Sequence, residues 1–231
     1  MNDGSTTNAT RLGAVRDISL VIEKIHEVDA NNPKSHSTDG PNSIPPSNSS
    51  SGLLIIGGDT LFYPDFSLPD FLSQFSTSPD RNLILYYDVT DTRKNGIIEL
   101  DESTGLVTNF LEKPLPTETS SRKACPCFYL LNQTALERVK TYVDRSTKLE
   151  EVDAPGNLIR HFVQINRTLA SDSRAQPSSP SSSSPSLLSI PILAIKISGR
   201  FDIGGLDSYI ECNEWFRKRE KEGESFSSHH L

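Results

Sequence analysis

The sequence predicts an α/β fold in which short buried strands alternate with amphipathic helices. Residues 53–56 and 82–87 are almost wholly apolar, and such runs are typical of strands that are buried on both faces. Longer segments around them carry apolar residues at helical spacing. Because strands and helices alternate in this order, we expect a mixed, mostly parallel sheet with some antiparallel hairpin content.

Three features organise the first half of the chain. A helix is predicted over residues 11–26, where Val15 and Ile22 lie on one face. Residues 29–52 are rich in Ser, Pro and Asn and bury too little apolar surface to offset their ordering entropy, so we interpret them as a disordered insertion. Residues 96–110 consist of two apolar runs around Glu102-Ser103-Thr104-Gly105, which predicts a β-hairpin.

The second half continues the alternation of strands and helices. A second Ser/Pro-rich tract, residues 171–186, is predicted to be another disordered insertion. We therefore expect one domain over residues 11–221 with flexible tails at 1–10 and 222–231. The remaining elements are strands at 127–131 and 191–197 and helices at 134–143, 157–165 and 206–221.

Composition limits the classes of function. The formal net charge is −7, and no basic cluster provides the electrostatic footprint that nucleic-acid binding requires. No apolar run approaches the length of a membrane span, and residues 1–5 carry no secretory signal. The three cysteines form no disulfide framework, so a cytoplasmic setting is expected. In Cys125-Pro126-Cys127 we expect packing residues and not a metal or redox motif.

Three strand ends carry polar residues that could perform chemistry. Asp59 follows an apolar strand and two glycines, and ligands of α/β sheets bind at such ends, but Asp59 could instead cap the next helix or stabilise a turn. Glu112 and Lys113 could contact hydroxyls and a phosphate, or could form an ordinary exposed salt bridge. Asp202 lies in a Gly-rich turn before the last helix, where it could join Asp59 in binding Mg²⁺ or could only stabilise the turn.

Taken together, these segments resemble a known family. The motifs Gly58-Asp59-Thr60-Leu61-Phe62, Gly96-Ile97-Ile98-Glu99-Leu100-Asp101, Glu112-Lys113-Pro114, Phe128-Tyr129 and Asp202-Ile203-Gly204 occur in the order seen in sugar-phosphate nucleotidyltransferases such as glucose-1-phosphate thymidylyltransferase. Each motif is weak alone, and five in order are moderately specific. The resemblance implies the Rossmann-like fold of the nucleotide-diphospho-sugar transferases.

The resemblance also implies an activity and a set of site residues. Such enzymes join a sugar 1-phosphate to an NTP and release pyrophosphate. By the resemblance, Asp59 and Asp202 would hold Mg²⁺, Lys113 would act in catalysis by holding the sugar phosphate, and Glu112 and the Gly96 backbone would face the sugar. The expected partners are a sugar 1-phosphate and an NTP, with a homo-oligomer also possible in such a family.

One family feature has no counterpart in this sequence. The family begins with a strand and a Gly-rich loop of the form L-A-A-G-x-G-T-R that binds the triphosphate, whereas residues 1–10 are polar and contain one glycine, Gly4. From this we expect a domain that lacks its first strand and Gly-rich loop, with impaired transfer. The alternatives are a sugar-phosphate-binding or regulatory module without turnover, or a truncated gene model.

Overall fold

The computed structural model describes residues 6, 7, 10–31, 51–175 and 189–222, without the side chains of residues 172–175. The elements in chain order are α1 (Ala14–Asn31), β1 (Gly52–Ile56), β2 (Thr60–Phe62), α2 (Leu68–Thr77), β3 (Asn82–Asp88), β4 (Gly96–Leu100), β5 (Val107–Glu112), β6 (Lys123–Cys125), β7 (Phe128–Asn132), α3 (Gln133–Arg145), α4 (Leu149–Asp153), α5 (Pro155–Ala175), β8 (Ile192–Lys196), β9 (Arg200–Asp202) and α6 (Leu206–Lys221).

The chain divides into two units, each made of two stretches of sequence. The helical unit comprises Met1–Gly52 and Asn132–Ile190 and contains α1, α3, α4 and α5. The sheet unit comprises Leu53–Leu131 and Pro191–Leu231 and contains the remaining helices and nearly all strand residues. Every residue proposed from sequence as a site residue lies in the sheet unit.

The helical unit is held together by the apolar stripe that its sequence periodicity predicts. Val15 and Ile22 are buried on α1, and Phe162 on α5 is fully buried among the residues that follow helical spacing. Gly13 before α1 has a φ of +94°, and a Cβ there would lie 2.8 Å from the backbone oxygen of Val152. Only glycine therefore permits this close approach of the chain to α4.

The main sheet has the strand order β1-β7-β3-β6-β4-β5, with β8 beside β3. A mixed α/β sheet is confirmed, but the expectation of mostly parallel pairing is wrong for the described pairs. Strand β3 runs parallel to β8, whereas its pairs with β6 and β7 and the pairs of β4 with β5 and β6 are antiparallel. An apolar strand in a mixed sheet covered on both faces has the same composition as one in a parallel sheet, so composition could not distinguish them.

The predicted elements are all present, with longer helices than expected. Helix α1 continues to Asn31 and α5 to Ala175, so both run into the segments predicted as insertions. Residue 52, the last residue of the first predicted insertion, is the first residue of β1, so that insertion ends earlier than predicted. The rest of both insertions, apart from residue 51, and most of the predicted tails lie outside the described residues. The sequence analysis did not predict five of the elements: β2, α2, α4, β6 and β9.

The core of the sheet unit is rich in aromatic residues. Phe71 and Phe75 of α2 pack with Phe128 and with alternate residues of β3, Leu83 and Leu85. The rings of Phe71 and Phe128 lie 5.2 Å apart in an edge-to-face arrangement, which aromatic pairs favour. This packing anchors the strand ends that carry the polar residues considered below.

We predict that Gly96→Ala destabilises the sheet unit. A Cβ at position 96 would lie 2.5 Å from Cζ of the buried Phe110, which must move to admit it. Overpacking of this kind costs about 1–3 kcal/mol, measurable as a lower midpoint of urea unfolding. The matched control is Gly58→Ala, whose Cβ would meet nothing within 4 Å. Equal loss of stability in both variants would contradict the prediction.

Candidate functional site

Two carboxylates meet where β2 and β9 pair. The strands are antiparallel with Thr60 opposite Asp202, and the Ile203 N–H donates to the Asp59 backbone oxygen over 2.8 Å. A Cβ placed on Gly204 would lie 3.1 Å from Oδ2 of Asp59 and 3.3 Å from Oδ1 of Asp202. Both carboxylates therefore lie against one glycine, and both residues are exposed to solvent.

Arg200 supplies the positive charge beside this pair. Its side chain is 13% exposed, and it donates to Oδ2 of Asp202 over 3.2 Å and to Oγ1 of Thr60 over 3.3 Å. Burial alone would lower the pKa of Arg200, but the neighbouring Tyr87 and Asp202 raise it above the ordinary arginine value. The guanidinium is thus a permanent counter-charge to the carboxylates.

Sequence reasoning assigned no role to Arg200. The available signal was its position two residues before Asp202, since residues i and i+2 of a strand share a face. The Gly204 N–H also donates to Oδ1 of Asp202 over 3.3 Å. The turn-stabilising role of Asp202, left open by the sequence, is therefore present in the structure.

Glu112 and Gly96 come together on neighbouring strands. Gly96 is paired with Glu112 of β5 on one side and with Cys125 of β6 on the other. A Cβ at position 96 would lie 3.4 Å from Oε2 of Glu112, so the carboxylate lies directly over the glycine backbone. The charge of Glu112 also contributes to the raised pKa of the Cys125 thiol, which results mainly from burial.

Lys113 has an unusual backbone conformation. Its φ of +49° lies in the left-handed region, and among the described non-glycine residues it is the one with positive φ. Its N–H donates to the backbone oxygen of Asn95 over 3.0 Å. The buried Thr92 holds the next residue by donating to the Pro114 oxygen over 2.8 Å. Left-handed backbone costs a residue with a Cβ about 1–2 kcal/mol, and such strain persists where the surroundings impose it.

Tyr87 and Asn95 connect the two halves of the candidate site. The Tyr87 hydroxyl donates to Oδ1 of Asn95 over 3.2 Å, and the Arg200 guanidinium carbon lies 5.9 Å from the Tyr87 ring centroid. Contacts therefore run continuously from Asp202 through Arg200, Tyr87 and Asn95 to the Lys113 backbone. Neither Tyr87 nor Asn95 was identified from the sequence, because their roles depend on strand pairing that sequence spacing does not reveal.

The structure supports a packing role for the cysteines. All three are free thiols, and Cys125 is buried. Burial, and secondarily the charge of Asp59, raises the pKa of Cys127 to about 11, although Arg200 acts in the opposite direction. No cluster of three or more His, Cys, Asp or Glu side chains suited to a metal occurs within the described ranges. At the pairing of β2 with β9, the side chains that could bind a cation are the carboxylates of Asp59 and Asp202.

The sequence model of the nucleotidyl transferase family matches residues 43–219, well over half of the chain. The chain belongs to the nucleotidyl transferase family. Asp59, Gly96, Glu112, Lys113 and Asp202 all lie within the matched range. A comparison with curated protein sequences finds no match.

One solved structure agrees with this family at the level of the fold, and a second is reported only as a similarity. A UDP-glucose pyrophosphorylase complexed with UDP-glucose aligns with a TM-score of 0.51 at 17% identity, covering 74% of this chain and 58% of that one. A structure described as a glucose-1-phosphate thymidylyltransferase from Bacillus anthracis in complex with sucrose aligns with a TM-score of 0.47 at 16% identity, covering 73% and 56%. The chain thus spans less than two thirds of the length of these proteins.

No helix in the described part of the chain is both long and apolar enough to cross a membrane.

We predict that Lys113→Gly is more stable than Lys113→Ala by about 1 kcal/mol, because glycine adopts positive φ without the Cβ penalty that alanine retains. Chemical denaturation of both variants measures the difference. Lys94→Gly compared with Lys94→Ala is the control, since Lys94 is not among the positive-φ residues. An alanine variant that equals or exceeds the glycine variant would show that position 113 carries no backbone strain.

We predict that Cys127 is alkylated slowly near pH 8. With a pKa of about 11 instead of the model-peptide value of 9.0, its thiolate fraction is about 100-fold smaller than that of an ordinary thiol. Iodoacetamide labelling followed by peptide mass spectrometry measures the rate as pH rises. The rate should still be increasing at pH 10, and a plateau near pH 9 would contradict the assigned environment. Labelling after denaturation provides the unperturbed reference.

Proposed function

We propose that this chain binds a sugar 1-phosphate together with Mg²⁺ and acts in nucleotidyl transfer from an NTP to that sugar phosphate, giving an NDP-sugar and pyrophosphate. The observation that carries the proposal is the approach of Asp59 and Asp202 to the same glycine, Gly204. The family match supports the class of reaction. The sugar substrate and the individual residue roles are part of the proposal.

The residues present fit a magnesium ion. Oxygen ligands from one or two carboxylates, completed by water and phosphate, are the usual protein contribution to Mg²⁺ binding. Asp59 and Asp202 provide two exposed carboxylates close together, and the Arg200 guanidinium offsets part of their repulsion when no cation is present. When bound there, Mg²⁺ would neutralise phosphate charge and polarise the α-phosphate for attack.

The proposed roles of the other residues follow from their chemistry. Lys113 provides an exposed ammonium group on a rigidly fixed backbone, suited to hold the phosphate of the sugar 1-phosphate. Glu112 accepts hydrogen bonds from sugar hydroxyls, and Gly96 leaves its backbone accessible beside that carboxylate. In the transfer, an oxygen of the sugar phosphate bonds to the α-phosphorus of the NTP, and the bond from that phosphorus to the bridging oxygen breaks to release pyrophosphate.

Such chemistry requires little covalent participation by the protein. The chain's contribution is to hold the reacting phosphates in line and to offset their charge. The strained backbone of Lys113 supports a positioning role. A backbone that its surroundings hold in one conformation also limits the positions of the side chain it carries.

The alternative function is a sugar-phosphate-binding module without turnover. The roles proposed above are for the cation and the sugar phosphate, and no residue is assigned to the nucleoside of the NTP. Binding and turnover must therefore be tested separately.

We predict that glucose 1-phosphate with Mg²⁺ raises the melting temperature of the full chain. A ligand at 100 times its Kd stabilises a protein by about 2.7 kcal/mol. Lys113→Ala should remove the shift because the phosphate loses its cation, and Asp59→Asn should remove the Mg²⁺ dependence. The matched controls, Lys94→Ala and Asp80→Asn, alter exposed residues of the same charge and should retain the shift.

An equal shift in wild type and Lys113→Ala would overturn the assignment of the sugar-phosphate site. Pyrophosphate release with each of the four common NTPs separates the two functions. Release that requires Asp59 and Asp202 supports the transferase. A thermal shift without release by the same preparation supports the binding module.

A further inference from the structure

Helices α3 and α5 of the helical unit line two adjoining cavities, one of about 260 Å³ and one of about 330 Å³. The cavities share Arg145, His161 and Gln164. We propose that they form a binding site for a small phosphate ester. The proposal is independent of the proposed transfer reaction, because no residue assigned to that reaction lies in the helical unit.

Three arginines line these cavities. Arg160 lines the smaller cavity, Arg138 lines the larger one, and Arg145 lines both. Within the described part of the chain, none of the three forms an ion pair with a carboxylate. The whole chain has 30 acidic and 23 basic residues and is therefore negatively charged. A group of arginines without carboxylate partners makes this region locally positive. Planar guanidinium groups bind phosphate through paired hydrogen bonds.

The acidic residue at the cavity is already engaged in local structure. Oε2 of Glu151 accepts hydrogen bonds from the N–H groups of Thr147 and Lys148 at the start of α4, over 2.9 and 3.2 Å. The Tyr142 hydroxyl donates to the Glu151 backbone oxygen over 2.6 Å. The Glu151 carboxylate therefore caps a helix, and within the described residues it forms no ion pair with any of the three arginines.

Aromatic and polar groups line the smaller cavity. The rings of Tyr142 and His161 lie 4.7 Å apart. Burial, and secondarily the charge of Arg145, lowers the pKa of His161, so its imidazole is neutral at pH 7 and can donate or accept one hydrogen bond. The side chain of Gln164 adds an amide that can serve either role.

The larger cavity also offers apolar surface. Ile165 and Leu169 line it together with the methyl-bearing Thr141 and Thr168. A phosphate held by the arginines would leave this surface for the organic part of the ligand. A volume near 300 Å³ lies at the lower end of the range for small-molecule sites. The ligand class is therefore a compact phosphate ester and not a polymer.

A role in helix stability accounts for only one of the arginines. Arg145 lies in the last turn of α3, where a cation complements the helix dipole. Arg138 lies mid-helix, and Arg160 belongs to the first half of α5. Neither position offers that stabilisation, so helix stability does not explain why all three arginines line the cavities.

Calorimetric titration of the full-length chain with phenyl phosphate and with inorganic phosphate, in buffer containing EDTA, tests the proposal. Without Mg²⁺ the carboxylate site on the sheet unit contributes little. We expect saturable binding of both probes, with phenyl phosphate tighter because its ring contacts the apolar wall. Arg145→Gln and Arg160→Gln should each weaken binding by about tenfold, the size of one charge-assisted contact.

Arg167→Gln is the matched control, because Arg167 is an exposed arginine of α5 outside the cavity lining. It should bind as wild type does. No saturation up to about 10 mM, the weak end of the affinity scale, would overturn the proposal, as would equal weakening by Arg167→Gln. Loss of binding in Lys113→Ala would also overturn it, by placing the probe at the sugar-phosphate site.

Discussion

The antiparallel pairing of β2 with β9 places two carboxylates, from distant parts of the sequence, beside one another. Like charges at that separation repel, and the arrangement is maintained by neighbours on the same strands. Arg200 donates to Asp202 and Thr60 from a largely buried position, and Tyr63 stacks on Trp215 of α6 with ring centroids 5.4 Å apart. The aromatic contacts fix the strands, and the guanidinium offsets the charge that the pairing concentrates.

The second half of the site consists of Gly96, Glu112 and Lys113. It is constrained by the lack of space for a side chain at position 96 and by the strained backbone of Lys113. Gly96 has no room for a Cβ beside Phe110, and the Glu112 carboxylate lies against its backbone. Lys113 holds a positive φ because Asn95 and the Thr92–Pro114 contact fix the chain on both sides. Since Asn95 also bonds Tyr87, which lies beside Arg200, the two halves are linked by contacts among three residues.

The sequence predicted the residues of the candidate site but not their surroundings. Asp59, Glu112, Lys113 and Asp202 were proposed because polar residues after apolar strands, next to glycine or proline, are locally recognisable. Arg200, Tyr87 and Asn95 were missed because their contacts arise from strand pairing and long-range packing. The same limit explains the fold. Amphipathic helices and apolar strands were predicted, whereas β2 and β9, with three residues each, are too short to show a period. Parallel and antiparallel neighbours were confused because burial dictates composition in both.

The parallel pairing of β3 with β8 has a consequence for biosynthesis. Asn82 lies opposite Ile192, so the strand that completes one side of β3 is translated more than a hundred residues after it. At about 5–20 residues per second, a ribosome needs several seconds to supply β8. During that interval the apolar edge of β3, Leu83 to Leu85, has no partner on that side and is open to chaperones. Helices α3, α4 and α5 emerge within the same interval, so they can form before β8 pairs with β3.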